Sequence, residues 1–266
     1  MKLGISTSCF YPLLTEKAFA AVCEQNVPYT EIFFNAASEL SPEFIRLLKS
    51  IQKGSETRVA SIHPTSSLSE SFMLFSAYDR RLQEGLETFC RYGEIAAELG
   101  AGYVILHGGK PNGILSDTEY CERFWQINEA VQKGGATLLQ ENVRGFRAGD
   151  LSLQKTMVEQ LGDKVGFCLD VKQSVRNGYS PLDMVAAVGK NIRHLHLSDH
   201  NAEKDCLLPT RGNFDFALLL REVKKHGFDG AAIIEVYRDA YGAYDEIFAA
   251  YQTLAVHLKK EVEKHG

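Results

Sequence analysis

The sequence lacks a long apolar run and a CxxC pair, and each absence excludes a class of protein. No stretch approaches the roughly 18 apolar residues of a membrane span, and polar residues follow Met1 too soon for a secretory signal. The six cysteines are scattered singly, which argues against a disulfide framework and a thiolate zinc site. We therefore expect a cytoplasmic protein with no membrane contact.

The sequence also has no excess of positive charge. Lys and Arg number 29 against 34 Asp and Glu, so the net charge of −5 gives no electrostatic footprint for nucleic acid, which is not an expected partner. Neither a GxGxxG turn after the first apolar run nor a Walker spacing is present, so no nucleotide site is predicted. What remains is a globular composition, with 45% hydrophobic and 24% charged residues.

Apolar runs typical of strands alternate with helical patterns along the whole chain. Eight strands are predicted, at residues 2–6, 30–34, 58–62, 103–106, 137–140, 165–169, 192–197 and 231–234. Continuous apolar strands joined by helices are typical of a parallel sheet covered by helices on both faces. Eight repeats favour a closed (β/α)8 TIM barrel, a single α/β domain over residues 1–266, with an open doubly wound sheet as the alternative.

Local signals set some of the helix boundaries. Ser41 and Pro42 have the N-cap and first-turn pairing that begins a helix, and Gly54 is expected to follow its end. Further helices are predicted at 16–25, 79–99, 118–133 and 214–226, another begins at Ser180-Pro181, and a last one runs to the C-terminus. Between the third strand and the helix at 79–99 we expect a polar stretch through Ser76.

Catalytic groups of such barrels lie at the C-terminal ends of the strands, where eight loops converge. Six of the eight predicted strands carry a potential metal ligand at that end: His63, His107, Glu141, Asp170, His196 and Glu235. Any one acid could pair with a basic residue instead. Because burying unpaired carboxylates beside apolar residues is costly, their recurrence in separate units favours a shared cation.

Glu141, Asp170, His196 and Glu235 offer three carboxylates and one imidazole. Such a set suits one divalent ion, Mn²⁺, Mg²⁺ or Co²⁺, and accepts Zn²⁺. Lys172 lies two residues beyond Asp170, and two roles stay open for it: lining the mouth of the barrel or neutralising local negative charge.

Four motifs carry a resemblance to a known family: Leu-Gln-Glu-Asn at 139–142, Gly-Phe-Cys-Leu-Asp at 166–170, His-Leu-His-Leu-Ser-Asp at 194–199 and Ile-Ile-Glu at 233–235. In this order the chain resembles, over essentially its whole length, the xylose-isomerase-like TIM-barrel superfamily. That superfamily comprises the sugar phosphate isomerase/epimerase group and the related AP endonuclease family 2.

The resemblance implies a divalent-metal-dependent isomerase or epimerase of a small sugar, sugar phosphate or polyol, acting by proton transfer through a metal-stabilised enediolate. It implies that Glu141 and Glu235 are the catalytic pair, one removing the proton and the other returning it, and that Asp170 and His196 serve chiefly as ligands. Which glutamate acts first stays open.

Four further residues are expected to bind the substrate. By resemblance His63 and His107 line the substrate pocket, with a second metal held by His63, His107 and Glu141 as the alternative. Gln173 stands where many relatives carry a histidine, and its amide can hydrogen-bond a hydroxyl. Arg211, in the loop after the seventh strand, is predicted to bind sugar hydroxyls or a phosphate.

Other functions on the same site are open at this point. An inosose-type polyol dehydratase would begin with the same proton abstraction, and a non-catalytic sugar-binding barrel would use the same cavity. An AP-endonuclease-like phosphodiesterase acting on DNA is favoured by His63 and His107 but opposed by Gln173 and Leu207, where those enzymes need histidines. The identity of the sugar and the oligomeric state stay open, a homo-oligomer included.

Overall fold

Eight short strands form the centre of the computed structural model, which describes residues 2–64 and 67–265. The strands are β1 (Lys2–Ser6), β2 (Tyr29–Phe33), β3 (Arg58–His63), β4 (Tyr103–Leu106), β5 (Thr137–Glu141), β6 (Gly166–Asp170), β7 (Ile192–Leu197) and β8 (Ala231–Ile234). Their interior residues are almost all buried, because side chains face either the barrel axis or the surrounding helices.

The strands close into one parallel barrel in the order of the sequence. Each strand pairs with the next, and β1 pairs with β8 in parallel, with Lys2 opposite Ala231 and Ile5 opposite Ile234. The predicted (β/α)8 TIM barrel is therefore confirmed, and the open doubly wound sheet is excluded by the closure between β1 and β8.

Helices follow the strands and cover the outside of the barrel. Within the described residues they are α1 (Thr15–Glu24), α2 (Pro42–Gln52), α3 (Ser67–Leu74), α4 (Asp79–Leu99), α5 (Asp117–Gly134), α6 (Leu151–Leu161), α7 (Val171–Arg176), α8 (Pro181–Val188), α9 (Phe216–Lys225) and α10 (Asp245–His265). None of these helices combines the length and apolar character that crossing a membrane requires.

The local signals at helix ends are confirmed where they were specific. The Ser41 hydroxyl accepts the N–H of Phe44 at 3.2 Å, and Pro42 is the first residue of α2. Gly100 ends α4 in the left-handed conformation with a φ of 76°, which glycine adopts at little cost. The polar stretch expected before α4 was a wrong prediction in part, because it contains α3.

The barrel has an outer and an inner apolar region. The main core lies between strands and helices, and a small cluster of Ile105, Leu139 and Cys168 lies beneath the C-terminal end. Outside, α4 and α5 approach closely at Gly134, where an added Cβ would lie 2.4 Å from the carbonyl oxygen of Cys90. Buried polar residues, among them His63, Glu141 and His196, occupy the C-terminal end of the barrel interior.

Candidate active site

The ends of six strands bring the predicted polar residues to one end of the barrel. His63, Glu141 and Asp170 are the last residues of their strands, so β3, β5 and β6 run one residue further than the apolar pattern predicted. His107 and Glu235 directly follow β4 and β8. All strands are parallel, so these side chains share the rim at which β7 presents His196.

The four predicted metal ligands converge on the imidazole of His196. Its Nδ1 lies 3.2 Å from Oε1 of Glu141, 3.4 Å from Oε2 of Glu235 and 3.7 Å from Oδ2 of Asp170. One ligand atom from each of the four lies within 4.8 Å of the others, all of them nearly buried. Four groups from four strands therefore surround a single small volume.

The residues next to the acids hold the strand ends in place. The side-chain amide of Asn142 accepts the N–H of Asp170 at 2.7 Å and donates to its carbonyl at 3.1 Å, which fixes β5 against β6. Gln140 donates to the carbonyl of Leu106 at 3.0 Å and to that of His107 at 3.1 Å, which fixes β5 against β4. These amides orient the acids because they restrain the backbone that carries them.

His63 and His107 approach the other side of Glu141. Oε2 of Glu141 lies 3.0 Å from Nε2 of His107 and 3.6 Å from Nε2 of His63, and the two Nε2 atoms are 2.9 Å apart. Burial opposes protonation of His63, but the Glu141 hydrogen bond and the charges of Glu31, Glu141 and Glu235 raise its pKa to about 9. The second metal suggested for His63, His107 and Glu141 stays a prediction, with ligand atoms close enough for one.

Beneath this layer lies a buried acid, Glu31, that the sequence analysis missed. Its carboxylate lies 3.0 Å from Nε2 of His196 and 3.3 Å from Nε2 of His194, and it accepts the hydroxyl of Ser61 at 2.7 Å. Because Glu31 holds Nε2 of His196, it leaves Nδ1 facing the three rim acids. Side chains alternate between the two faces of a strand, and this alternation along β2 was the signal that could have predicted an inward-facing Glu31.

The imidazoles keep two buried acids ionised. Burial raises the pKa of Glu31, but His196 and His194 outweigh it and hold the pKa well below its usual range. Burial likewise raises the pKa of Glu141, and hydrogen bonds with His107, His196 and His63 bring it well below the usual value. Burial lowers the pKa of His194, although the hydrogen bond and the charge of Glu31 oppose this shift. Both acids therefore carry their negative charge opposite imidazoles inside the barrel.

Lys172 lies inside the same cluster, at the start of α7. It is 1% exposed; its ammonium donates to Oδ2 of Asp170 and lies 2.5 Å from Oε2 of Glu235. The other oxygen of Asp170 caps α7 by accepting the N–H of Gln173 at 3.0 Å. Burial lowers the pKa of Lys172, but the charges of Asp170 and Glu235 raise it well above the usual value. Both roles left open for Lys172 therefore apply.

A cavity of about 450 Å³ opens above these residues. Its polar floor includes Glu141, Lys172 and Glu235, and aromatic rings form part of its wall. The ring of Phe33 stacks on that of His63, with centroids 4.5 Å apart. The cavity is large enough for a small polar molecule, and ring faces beside carboxylates suit a sugar, which has both C–H faces and hydroxyls.

Three of the four predicted substrate-binding residues line this cavity: His63, His107 and Gln173. The Gln173 side-chain oxygen accepts the backbone N–H of Arg144 at 3.0 Å. Arg211 does not join them. Its guanidinium lies 2.6 Å from the carboxylate of Glu246 on α10 and is absent from the described lining of the cavity, and substrate binding by Arg211 stays a prediction.

A second missed residue, Glu70, positions the loop after β4. Its carboxylate accepts the backbone N–H groups of His107 and Gly108, at 2.9 and 3.0 Å. Glu70 belongs to α3, the segment that was predicted to be an irregular polar stretch. Four serines in residues 67–76 weaken the helical pattern of this segment, because serine is a poor helix former. The contact of Glu70 with the loop after β4 depends on tertiary structure, which the local sequence does not show.

The four-ligand set fits a divalent cation in composition and spacing. Hard carboxylate oxygens and one imidazole nitrogen suit Mn²⁺, Mg²⁺, Co²⁺ or Zn²⁺. A third group of close ligand atoms, Cys168, His194 and His196, fits poorly, because burial raises the pKa of Cys168 and only the thiolate binds metals well. Lys172 is the one feature of the main cluster that metal binding alone does not predict.

Comparisons with known proteins agree with this architecture. The family model for xylose isomerase-like TIM barrels matches residues 19–260. An uncharacterized protein of Methanocaldococcus jannaschii is 26% identical over 280 residues, which cover 99% of this chain and 94% of that protein.

Two solved structures share the fold. The crystal structure of a D-tagatose 3-epimerase-like protein has a TM-score of 0.82 at 23% identity, covering 100% of both chains. The crystal structure of the IOLI protein with a bound zinc atom has a TM-score of 0.71 at 17% identity, covering 98% of this chain and 96% of that one.

Proposed function

We propose a function from the premise that the chain belongs to the xylose isomerase-like TIM-barrel family. The proposed activity is the isomerisation or epimerisation of a small sugar, sugar phosphate or polyol, with dependence on a divalent metal ion. The observation that carries it is the convergence of Glu141 and Glu235 on one imidazole nitrogen, at 3.2 and 3.4 Å, from strands on different sides of the cavity.

These two carboxylates carry the proposed chemistry. Epimerisation requires a base on one face of the reacting carbon and an acid on the other, each within hydrogen-bond reach. Glu141 on β5 and Glu235 after β8 both line the cavity and are separated along the barrel by β6 and β7. We assign proton removal and return to this pair, with either glutamate acting first according to the configuration of the substrate.

The other residues bind, orient and exclude water. Asp170 and His196 would complete the ligand set for a divalent ion, which when bound supplies Lewis-acid stabilisation of negative charge on the substrate oxygens. His63, His107 and Gln173 are proposed to hydrogen-bond the sugar hydroxyls. Two solved structures of similar fold, one of a D-tagatose 3-epimerase-like protein and one of the IOLI protein with a bound zinc atom, support this substrate class and metal type.

Hydrogen exchange in D₂O tests the proposal. The chelator-treated protein is reloaded with Mn²⁺, Co²⁺ or Zn²⁺, mixed with a panel of ketoses, ketose phosphates and an inosose, and followed by NMR. We expect loss of one substrate C–H signal and growth of an isomer. Glu141→Gln and Glu235→Gln should each slow exchange at least about 100-fold, because each removes a proton-transfer group. Glu203→Gln changes an exposed glutamate after β7 and should leave the rate unaltered.

Three outcomes would contradict the proposal. Exchange that persists at the full rate in Glu141→Gln and Glu235→Gln would remove these residues from the chemistry. Loss of water from the product, detected by mass spectrometry, would assign a dehydratase to the same site. Tight binding of metal and sugar with no exchange for any member of the panel would indicate a binding protein.

A further inference from the structure

Lys172 contacts the two carboxylate oxygens that a metal ion would need most. Oδ2 of Asp170 and Oε2 of Glu235 are the oxygens that face Nδ1 of His196, at 3.7 and 3.4 Å. The same two atoms receive the Lys172 ammonium. An ion bound by Nδ1 and these acids must therefore meet the ammonium at both oxygens.

The remaining oxygens of these acids have other partners. Oδ1 of Asp170 accepts the N–H of Gln173 at 3.0 Å, and Oε1 of Glu235 lies 3.4 Å from the Ser8 hydroxyl. Turning either carboxylate to offer its second oxygen would break one of these contacts. Glu141 differs from these two acids. Its Oε1 lies 3.2 Å from Nδ1 of His196, whereas the ion pairs of Lys172 are with Asp170 and Glu235.

We infer that Lys172 is an internal cation that competes with the divalent ion for Asp170 and Glu235 and thereby sets the metal affinity of the site. This inference rests on the proposed function, since it takes the four-ligand cluster as the metal site. A unit charge a few ångströms from a divalent ion in a buried cluster repels it strongly, and the carboxylates can serve only one cation fully.

An aromatic ring that already contacts Arg176, at 4.9 Å, also lies close to the Lys172 ammonium. The ring of Tyr237 lies 5.4 Å from Nζ of Lys172, on the cavity side, and an aromatic face attracts a cation at this range. A shift toward that ring would leave the two oxygens to the metal and keep the positive charge in the cavity wall, beside the substrate.

Manganese affinity measured by calorimetry tests the competition. Lys172→Met keeps an unbranched side chain, one heavy atom shorter, and removes its charge, and we expect it to bind Mn²⁺ at least about tenfold more tightly than the wild type. Lys110→Met is the matched control: this lysine also lies near the cavity, 3.5 Å over the ring of Phe146, and should alter the affinity less than about threefold.

A crystal structure of the wild-type protein with Mn²⁺ gives an answer even if Lys172→Met does not fold. We expect Nζ of Lys172 to leave hydrogen-bond distance of Asp170, Glu235 or both. Metal bound with both contacts intact, or equal affinity in Lys172→Met and wild type, would overturn the inference and leave the proposed function standing. If only Lys172→Met bound Mn²⁺, the inference would be supported and the metal dependence proposed for the natural chain would be contradicted. If neither protein bound Mn²⁺, both the inference and the proposed metal dependence would be overturned.

Discussion

Replacing Glu31 by glutamine removes a buried negative charge while keeping the shape of the side chain. Glu31 is 0% exposed and faces Nε2 of His196, Nε2 of His194 and the Ser61 hydroxyl within 3.3 Å. A glutamine amide offers one acceptor oxygen, and its NH₂ group can only donate. All three reach the same oxygen, Oε2, so an amide oxygen in that place still accepts from them, and what is lost is the negative charge opposite the imidazole of His196.

The expected loss of stability follows from these contacts. A buried group left without its partner costs about 1–3 kcal/mol, and removing one member of a buried ion pair costs about 3–5 kcal/mol. We expect Glu31→Gln to lower the free energy of unfolding by about 4 kcal/mol, a large part of the total for one domain.

Urea denaturation followed by circular dichroism, in the presence of a chelator, measures this difference. Glu159→Gln on α6 is the control, because it makes the same chemical change at an exposed position and should cost less than about 0.5 kcal/mol. A loss below about 1 kcal/mol for Glu31→Gln would refute the reasoning, since it would mean that the charge of Glu31 contributes little to the stability of the folded protein.

Two further predictions concern the outer shell of the barrel. Gly134→Ala should destabilise the protein by about 1–3 kcal/mol through overpacking, since its Cβ would lie 2.4 Å from a carbonyl oxygen of α4. Gly102→Ala is the control, because its Cβ meets nothing within 4 Å. Equal thermal midpoints for the two variants would contradict the close approach of the helices. Arg176 donates to Asp205 at 2.6 and 2.8 Å and, although partial burial opposes it, lowers the Asp205 pKa below 3.8. Because the pKa of Asp205 is lower in the folded state, the ion pair stabilises the protein above about pH 3.8, and this stabilisation is lost as the pH falls through the folded pKa. The difference in unfolding free energy between wild type and Arg176→Gln should therefore shrink in acid. A difference independent of pH would contradict an electrostatic role for the pair.

The sequence predicted the barrel because buried parallel strands have continuous apolar runs of residues. Most predicted strand boundaries agree with the structure within one residue. It also located the rim acids, since a lone carboxylate after such a run is conspicuous. Extending β5 by one residue brings Glu141 into the strand, because pairing with Cys168 continues the ladder past the last apolar residue.

The features that the sequence did not predict depend on contacts between distant parts of the chain. Glu31 interrupts β2 as a single acid, and only barrel closure brings it to the two histidines of β7. Arg211 lies in the loop after β7, and no local pattern could show its ion pair with Glu246, far along the chain. Lys172 was placed near the acids correctly, yet no local pattern could show that it contacts two of them.

The order of the strands divides the barrel between two halves of the gene. The first half, through β4, contributes Glu31 and the imidazoles of His63 and His107, whereas the second half contributes the proposed proton-transfer pair and all four proposed ligands. Substitutions in the first half at Phe33, His63 or His107 therefore alter part of the cavity lining while leaving the proposed pair and ligands in place.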